Sequence, residues 1–297
     1  MYYCIIDFEG RLAFTTDSYV VKPVFFPGGD IGKLAVCGTI NDLVTSGAEP
    51  MYLSCGFIIE EGFNIKDLEK IVISMGEVCR ATGVKIITGD TKVVEKGSLD
   101  GIFINTAGIG VIRNGYTPKS IEIGDKIIVT GGIGEHGTTI AIERFNIQIN
   151  GNFKSDCHPL CKIIKRLDQY MDEIKLMKDP TRGGLATILN EVTQKANNSV
   201  YIIEEHIPMK QEVRWINELI GLDPLYLACE GRMVIVASKD ASKDIVNELR
   251  KEEEFKEAGI IGSIIEIEKK PVVIMETPIG GKKILGELDG EMLPRIC

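Results

Sequence analysis

A two-domain α+β chain is what this sequence predicts, on three observations. Its 297 residues are more than a single small core serves comfortably. β-branched runs of strand length alternate with capped, amphipathic helical stretches. A helix-opening pattern, Asp30-x-x-Lys33-x7-Asn41-Asp42-Leu43, returns as Asp179-x-x-Arg182-x7-Asn190-Glu191-Val192, which reads as one unit used twice. A pattern with so few fixed positions also arises by chance.

The first domain spans residues 1–115. Residues 1–6 and 11–21 read as strands joined by a turn at Glu9-Gly10, the second carrying Asp17 in its middle. Pro27-Gly-Gly-Asp30 feeds a helix over 31–46 with Asp30 as N-cap. That helix is apolar and rich in small residues, and Lys33, Asn41 and Asp42 interrupt it. A buried strand over 51–59, an amphipathic helix over 65–82 closed by Gly83, a strand over 84–94 broken at Gly89, and a strand over 102–112 follow.

A boundary near Tyr116-Thr-Pro118 opens the second domain, 116–285. A strand over 125–130 runs into Gly131-Gly132-Ile-Gly134-Glu135-His136-Gly137 and a helix over 138–145. Such a Gly-rich turn can present bare amides to an anion, and many are only turns. A helix over 156–171 and a short strand over 174–177 come next. Asp179 as N-cap, with Pro180 at the first helical position, starts a helix running to about Ala196. A strand over 199–203, a helix over 210–220, strands over 224–228 and 232–237 around Cys229-Glu230-Gly231, a helix over 241–250, and strands over 259–266 and 271–276 complete the domain. Residues 286–297 hold two glycines and a proline and end on Cys297, a composition expected of a flexible tail.

Composition narrows the function. The formal net charge of −9 argues against a general nucleic-acid surface. No apolar run reaches transmembrane length and no signal-peptide layout opens the chain, so no membrane role is expected. Eight cysteines, most within apolar runs, read as reduced thiols of a cytoplasmic protein. Cys157-His158-Pro-Leu-Cys161 lacks a second ligand pair at zinc spacing and reads as helix packing.

Asp17, Asp42 and Asp90, with Asp179 from the second domain, are carboxylates at turn and helix positions. Carboxylates with water suit Mg²⁺, which bridges phosphates, while Lys33, Lys92 and Arg182 can neutralise phosphate oxygens. The combination points to phosphoryl transfer from a nucleotide. Neither the P-loop pattern nor a kinase catalytic loop is present. Each Asp also has an ordinary reading as a cap or turn residue.

Thr15-Thr16-Asp17-Ser18, Asp30-Ile-Gly-Lys33 through Ile40-Asn41-Asp42-Leu43, Gly47-Ala-Glu-Pro50, Gly89-Asp90-Thr91-Lys92 and Asp179-Pro-Thr-Arg182-Gly-Gly184 resemble the ATP-binding superfamily of aminoimidazole ribonucleotide synthetase. That superfamily also holds selenophosphate synthetase, thiamine-monophosphate kinase and the hydrogenase maturation proteins HypE. The Pro294-Arg-Ile-Cys297 ending and Cys229-Glu230-Gly231 resemble the HypE family in particular. The resemblance implies a PurM-like architecture: an N-terminal sheet-and-helix domain that forms a barrel in a homodimer, a C-terminal α/β sandwich domain and a mobile tail.

It also implies a chemistry. HypE proteins receive a carbamoyl group on the terminal thiol, here Cys297, from a HypF carbamoyltransferase. They use ATP to dehydrate that S-carboxamide to an S-thiocyanate. The cyanide then passes through a HypC–HypD complex to the iron of a [NiFe] hydrogenase. By the resemblance, Glu230 and Lys92 are the proton-transfer candidates. Asp17, Asp42 and Asp90 would hold Mg²⁺ with ATP, Lys33 and Asn41 would lie near the phosphates, and Thr91, Asp179 and Arg182 complete the nucleotide set. Family members begin with a Gly-rich segment and an Asp-Asp-Ala-type turn; this chain opens directly on a strand, as a truncated or a divergent start would.

Two other functions fit the same motifs. One is a kinase or synthetase of a diffusible substrate, for which the tail is inert. The other is a docking module that presents its tail without catalysis.

Overall fold

The computed structural model describes residues 4–113, 115–149, 153–267 and 269–288, together with 290, 293, 295 and 296. The first domain contains β1 (Arg11–Tyr19), a short ribbon of β2 (Phe25–Phe26) and β3 (Gly29–Asp30), α1 (Ile31–Thr45), β4 (Glu49–Glu60), α2 (Ile65–Thr82), β5 (Lys85–Val94) and β6 (Ile102–Ile112). Its main sheet has the order β1-β6-β4-β5, antiparallel except for β4 against β5.

Helices α1 and α2 cover one face of that sheet. α1 is apolar nearly all round, and it is buried nearly all round. Asp30 caps it through the amides of Gly32 and Lys33, at 2.7 and 3.0 Å. Gly38 lets it lie against β1, because a Cβ there would sit 2.2 Å from the Tyr19 hydroxyl. α2 ends at Gly83 in the left-handed conformation, with φ +80°.

The second domain contains β7 (Lys126–Val129), α3 (Glu135–Phe145), α4 (Cys161–Leu167), β8 (Ile174–Lys178), α5 (Gly184–Ala196), β9 (Ser199–Ile203), α6 (Gln211–Ile220), β10 (Val234–Ala237), α7 (Ser242–Leu249), β11 (Gly259–Ile265), β12 (Val273–Glu276) and β13 (Lys282–Leu285). Its sheet runs β13-β12-β9-β11-β7-β10-β8. α1 packs on α4 and β8, and one apolar core joins Leu34 and Ile40 of the first domain to Ile163 and Ile235 of the second.

Five sequence expectations need correction. No strand forms over residues 4–9. β5 runs unbroken through Gly89, where a Cβ would lie 2.3 Å from the Cys55 carbonyl oxygen; the glycine admits β4 rather than ending the strand. The helix expected from 156 starts at Cys161, since Pro159 disfavours helical backbone at His158. Residues 224–226 form a single 3-10 turn, capped by the Asp223 side chain on the Leu225 amide at 3.0 Å, and not a strand. α5 starts at Gly184, not beside Asp179, after Gly183 at φ +73°.

Candidate active site

Where the two domains meet, a cavity of about 410 Å³ is lined by Asp17 and Asp42 from the first domain and by Asp179, Arg182 and Glu230 from the second. Asp17 comes from β1, and Asp42 from the last turn of α1, where Thr15 Oγ1 donates to its carboxylate at 2.9 Å. The late start of α5 is what leaves Asp179 in the cleft: residues 181–184 close a turn of their own, with the Gly184 amide donating to the Thr181 carbonyl at 3.0 Å.

Glu230 sits on a loop braced from three sides. Asp156 accepts the amides of Glu230 and Gly231 at 3.3 and 3.2 Å. The Glu230 carbonyl accepts the His158 amide at 3.3 Å and Asn41 Nδ2 at 3.1 Å. The Cys229 amide donates to the Pro180 carbonyl at 2.9 Å, tying this loop to the one bearing Asp179. Gly231 is required by contact: a Cβ would fall 1.9 Å from the Asp156 carbonyl oxygen. The backbone is thus held while the side chain is not. Glu230 is 2% exposed and its Oε1 has no hydrogen-bond partner.

These carboxyls crowd one another. Burial pushes the Glu230 carboxyl well above the usual range, with Cys157, Asp179, Asp156 and Asp17 adding to it. Burial, then the charges of Asp42 and Asp17, push Asp179 up to about 7. Asp42 is raised by burial and by Asp17. A cleft that holds carboxyls in this state favours a cation. No three His, Cys, Asp or Glu side chains among the described residues are disposed to hold a metal by themselves. Mg²⁺ needs only one or two protein carboxylates when phosphates and water complete its shell, so Asp17 and Asp42 fit that ion together with a nucleotide.

Other expected site residues lie elsewhere. Asn41 does not face a phosphate: its Nδ2 donates to the His158 and Glu230 carbonyls, both at 3.1 Å, and its Oδ1 accepts the Leu160 amide at 2.8 Å. Lys33 Nζ donates to the Gly28 carbonyl at 2.7 Å and lines a separate cavity with Lys154, Glu135 and Arg232. Asp90, Thr91 and Lys92 lie on β5, the opposite edge of the sheet from Asp17. Asp17 is level with Thr106, Cys55 and Gly89, so three strand spacings, about 14 Å, separate it from that edge. One chain therefore does not bring Asp90 to Asp17 and Asp42. Cys297 lies outside the described residues.

The Gly-rich turn before α3 is already occupied. The Ile133 amide donates to the Pro208 carbonyl at 2.9 Å and the Gly134 amide to Cys229 Sγ at 3.2 Å. A Cβ on Gly132 would lie 2.3 Å from Glu135 Oε1, so the turn folds around the chain's own carboxylate, which Lys210 pairs at 2.7 Å.

Residues 293, 295 and 296 are docked, against the expectation of a free tail. Leu293 is 8% exposed and packs with Ala141 and Leu227. Arg295 Nη1 donates to Asp100 at 2.6 Å and its Nε to the Val20 carbonyl at 3.1 Å. The Lys22 amide, at 3.1 Å, and Arg144 Nη2 donate to the Arg295 carbonyl. His136 bonds the Ile296 carbonyl at 2.8 Å. Leu293, Arg295 and Ile296 line the same cavity as Asp17, Asp42 and Glu230. The sequence assigns no site role to His136, Arg144 or Asp156; the bonds from His136 to Ile296, Arg144 to Arg295 and Asp156 to Glu230 span 160, 151 and 74 residues.

The repeated motif has a structural counterpart. Asn190, placed in α5 as Asn41 is in α1, also clamps backbone, donating through Nδ2 to the Leu285 and Gly286 carbonyls at 3.2 Å. One asparagine braces the Glu230 loop and the other fastens the root of the tail.

Comparison with known proteins agrees with this architecture. Residues 3–112 match the family model of AIR synthase related protein, N-terminal domain, and residues 122–274 match that of the C-terminal domain. Carbamoyl dehydratase HypE of Bradyrhizobium diazoefficiens is 45% identical over 97% of this chain and 84% of its own length. A crystal structure of hydrogenase maturation protein HypE in complex with ATP superposes with a TM-score of 0.94 at 41% identity, over 99% of this chain and 90% of that one. The structure of a HypE–HypF complex superposes with a TM-score of 0.89 at 44% identity, over 93% and 90%. With AIR synthase related domains in both halves and this identity along nearly its whole length, the chain belongs to the HypE family of carbamoyl dehydratases.

Proposed function

We propose that this protein dehydrates a carboxamide carried on its own Cys297 to a thiocyanate, with ATP as co-substrate, and so supplies cyanide for the iron of a [NiFe] hydrogenase. The observation that carries this reading is the position of Ile296, the residue before Cys297, in the same cavity as Asp17, Asp42, Asp179 and Glu230. Leu293 and Arg295 line that cavity too, which suits a substrate carried on this segment.

The chemistry balances. The carboxamide oxygen attacks the γ-phosphorus, ADP leaves, and the amide nitrogen gives up one proton. The phosphorylated oxygen then departs as inorganic phosphate while nitrogen gives up its second proton, leaving S–C≡N. Phosphorylation converts a poor leaving group into a good one. Glu230, unpartnered at Oε1 and raised well above the usual carboxyl range, is a strong base once ionised, and we assign it one of the two proton removals. Arg182, which lines the same cavity, would offset phosphate charge. Asp17 and Asp42 would hold Mg²⁺, which supplies charge neutralisation on the transferring phosphoryl group when bound.

Asp90, Thr91 and Lys92 enter through a second copy. In register with Gly56 and Ile58, Asp90 and Lys92 belong to the face of the sheet away from α1 and α2. That face exposes Leu12, Phe14 and Ile58. A homodimer closing over it buries these side chains and carries one subunit's β5 edge toward the other's cleft. Loading Cys297 falls to a HypF-like carbamoyltransferase, as the HypE–HypF complex of relatives supports. Delivery falls to a HypC–HypD-like complex, all in the cytoplasm.

The test is to incubate the chain with a HypF-type partner, carbamoyl phosphate and Mg²⁺-ATP and to follow intact mass. One carbamoyl group should be gained, then one water lost, and Cys297→Ala should show neither change. A stable carbamoyl adduct that never becomes lighter in the presence of ATP overturns the reading.

A further inference from the structure

Resting on the dehydratase reading, we propose that His136 is a positioning residue for the carboxamide: with Ser155 behind it and Arg144 beside it, it forms a socket that reads the two backbone carbonyls preceding Cys297.

Three observations converge. His136 is fully buried, and both ring nitrogens are engaged, Nδ1 with Ser155 Oγ and Nε2 with the Ile296 carbonyl, each at 2.8 Å. A carbonyl only accepts, so Nε2 carries the proton and the Ser155 hydroxyl donates to Nδ1. Ser155 Oγ in turn accepts the Cys157 amide at 3.0 Å, which leaves its hydroxyl proton for the ring. The tautomer is thereby fixed, and burial keeps the imidazole neutral by lowering its affinity for a second proton.

Arg144 supplies the second reader. Its Nη2 donates to the Arg295 carbonyl and its Nε to the Lys22 carbonyl at 2.6 Å. It joins the carbonyl beside the one His136 holds to the segment that follows β1.

Backbone conformation is the third observation. Arg295 has φ +57°, the left-handed region that a side chain of this size rarely adopts. The Lys22 amide, Arg144, Asp100 and the Val20 carbonyl over-determine it. The carbonyl that His136 holds, that of Ile296, comes directly after this bend. The socket's hydrogen bonds at 295 and 296 go to backbone carbonyls. The socket therefore fixes where the next residue starts, which is what an in-line approach of a thiol-borne group to a phosphate requires.

His136→Leu keeps the bulk and removes the donor, whereas His136→Gln returns an N–H near the position of Nε2. Two readouts are taken on the full chain. The first is single-turnover conversion of the carbamoylated protein at saturating Mg²⁺-ATP. The second is the rate of tryptic cleavage after Arg295, which needs the tail undocked. His136→Leu should slow conversion and speed cleavage, each about five- to tenfold, with ATP affinity within about twofold of wild type. His136→Gln should recover both to within about threefold.

Should the leucine variant not fold, Ser155→Ala, which frees the tautomer, should speed cleavage by about threefold. Unchanged cleavage in these variants overturns the socket, as does a glutamine variant as impaired as the leucine one. If wild-type protein accepts a carbamoyl group and never converts it, the dehydratase reading fails, while the cleavage rates still decide the socket.

Discussion

Asn41 and Glu230, 189 residues apart, are joined by a 3.1 Å hydrogen bond from the Asn41 side chain to the Glu230 carbonyl. The same amide group holds the His158 carbonyl, and its oxygen holds the Leu160 amide. A helix of the first domain thus sets the backbone from which Glu230 of the second domain projects.

Replacing Asn41 with Asp puts an acceptor against two carbonyls. The expected loss is about 3 kcal/mol of stability, since buried polar groups lose their partners. Denaturant unfolding measures it, and a loss under about 1 kcal/mol contradicts the clamp.

Glu230→Gln should leave the fold and ATP affinity intact and slow dehydration at least about 100-fold. In the wild type, the rate should climb as pH rises above the ordinary carboxyl range, because the raised carboxyl must lose its proton before it can act. Single-turnover mass spectrometry at several pH values reads both.

Gly231→Ala should cost about 3 kcal/mol, because its Cβ would lie 1.9 Å from a backbone oxygen that is itself held in place. Thermal unfolding measures it. Gly124→Ala, at a left-handed position with open space around it, serves as a milder control for backbone strain alone.

Asp179 ties stability to pH. Its folded pKa, about 7, is above the unfolded value, so the folded state binds the extra proton between roughly pH 4 and 7. The stability it contributes is therefore present at low pH and lost as pH rises through 7. Asp179→Asn should raise Tm at pH 8 by about 2–4 °C, by about a third of that at pH 5 and by little below about pH 4, after discounting for screening in an open cleft. For the same reason Mg²⁺ should stabilise the wild type more at pH 8 than at pH 6, as scanning calorimetry would show.

Asp42→Asn and Asp90→Asn should each abolish dehydration in a homodimer. Mixed and reassociated, they should regain about a quarter of wild-type activity, because half of the dimers are mixed and each mixed dimer has one intact site. No recovery on mixing argues against Asp90 acting across subunits.

Much of this protein is legible in its sequence because the deciding interactions are local. Asp30 as a cap, Gly83 as a stop, the amphipathic face of α2 and the β-branched runs each depend on neighbours a few residues away. Asp17, Asp42 and Asp179, with Arg182, are also identifiable from residue types that match phosphate and metal chemistry, whereas Glu230 is marked only by the resemblance to the HypE family. Which of the remaining candidates join them was not legible. Lys33 faces another cavity, Asn41 is consumed as a brace, and Asp90, Thr91 and Lys92 stand at the far edge of the sheet. Composition foretold a free tail, because glycine and proline describe only what a segment does when nothing holds it. His136, Arg144 and Asp100 hold this one, and only folding brings those side chains to it. Sequence spacing reports the preferences of a chain for its own neighbours, whereas the working cleft is an agreement between distant segments, reached when two domains bury a common core.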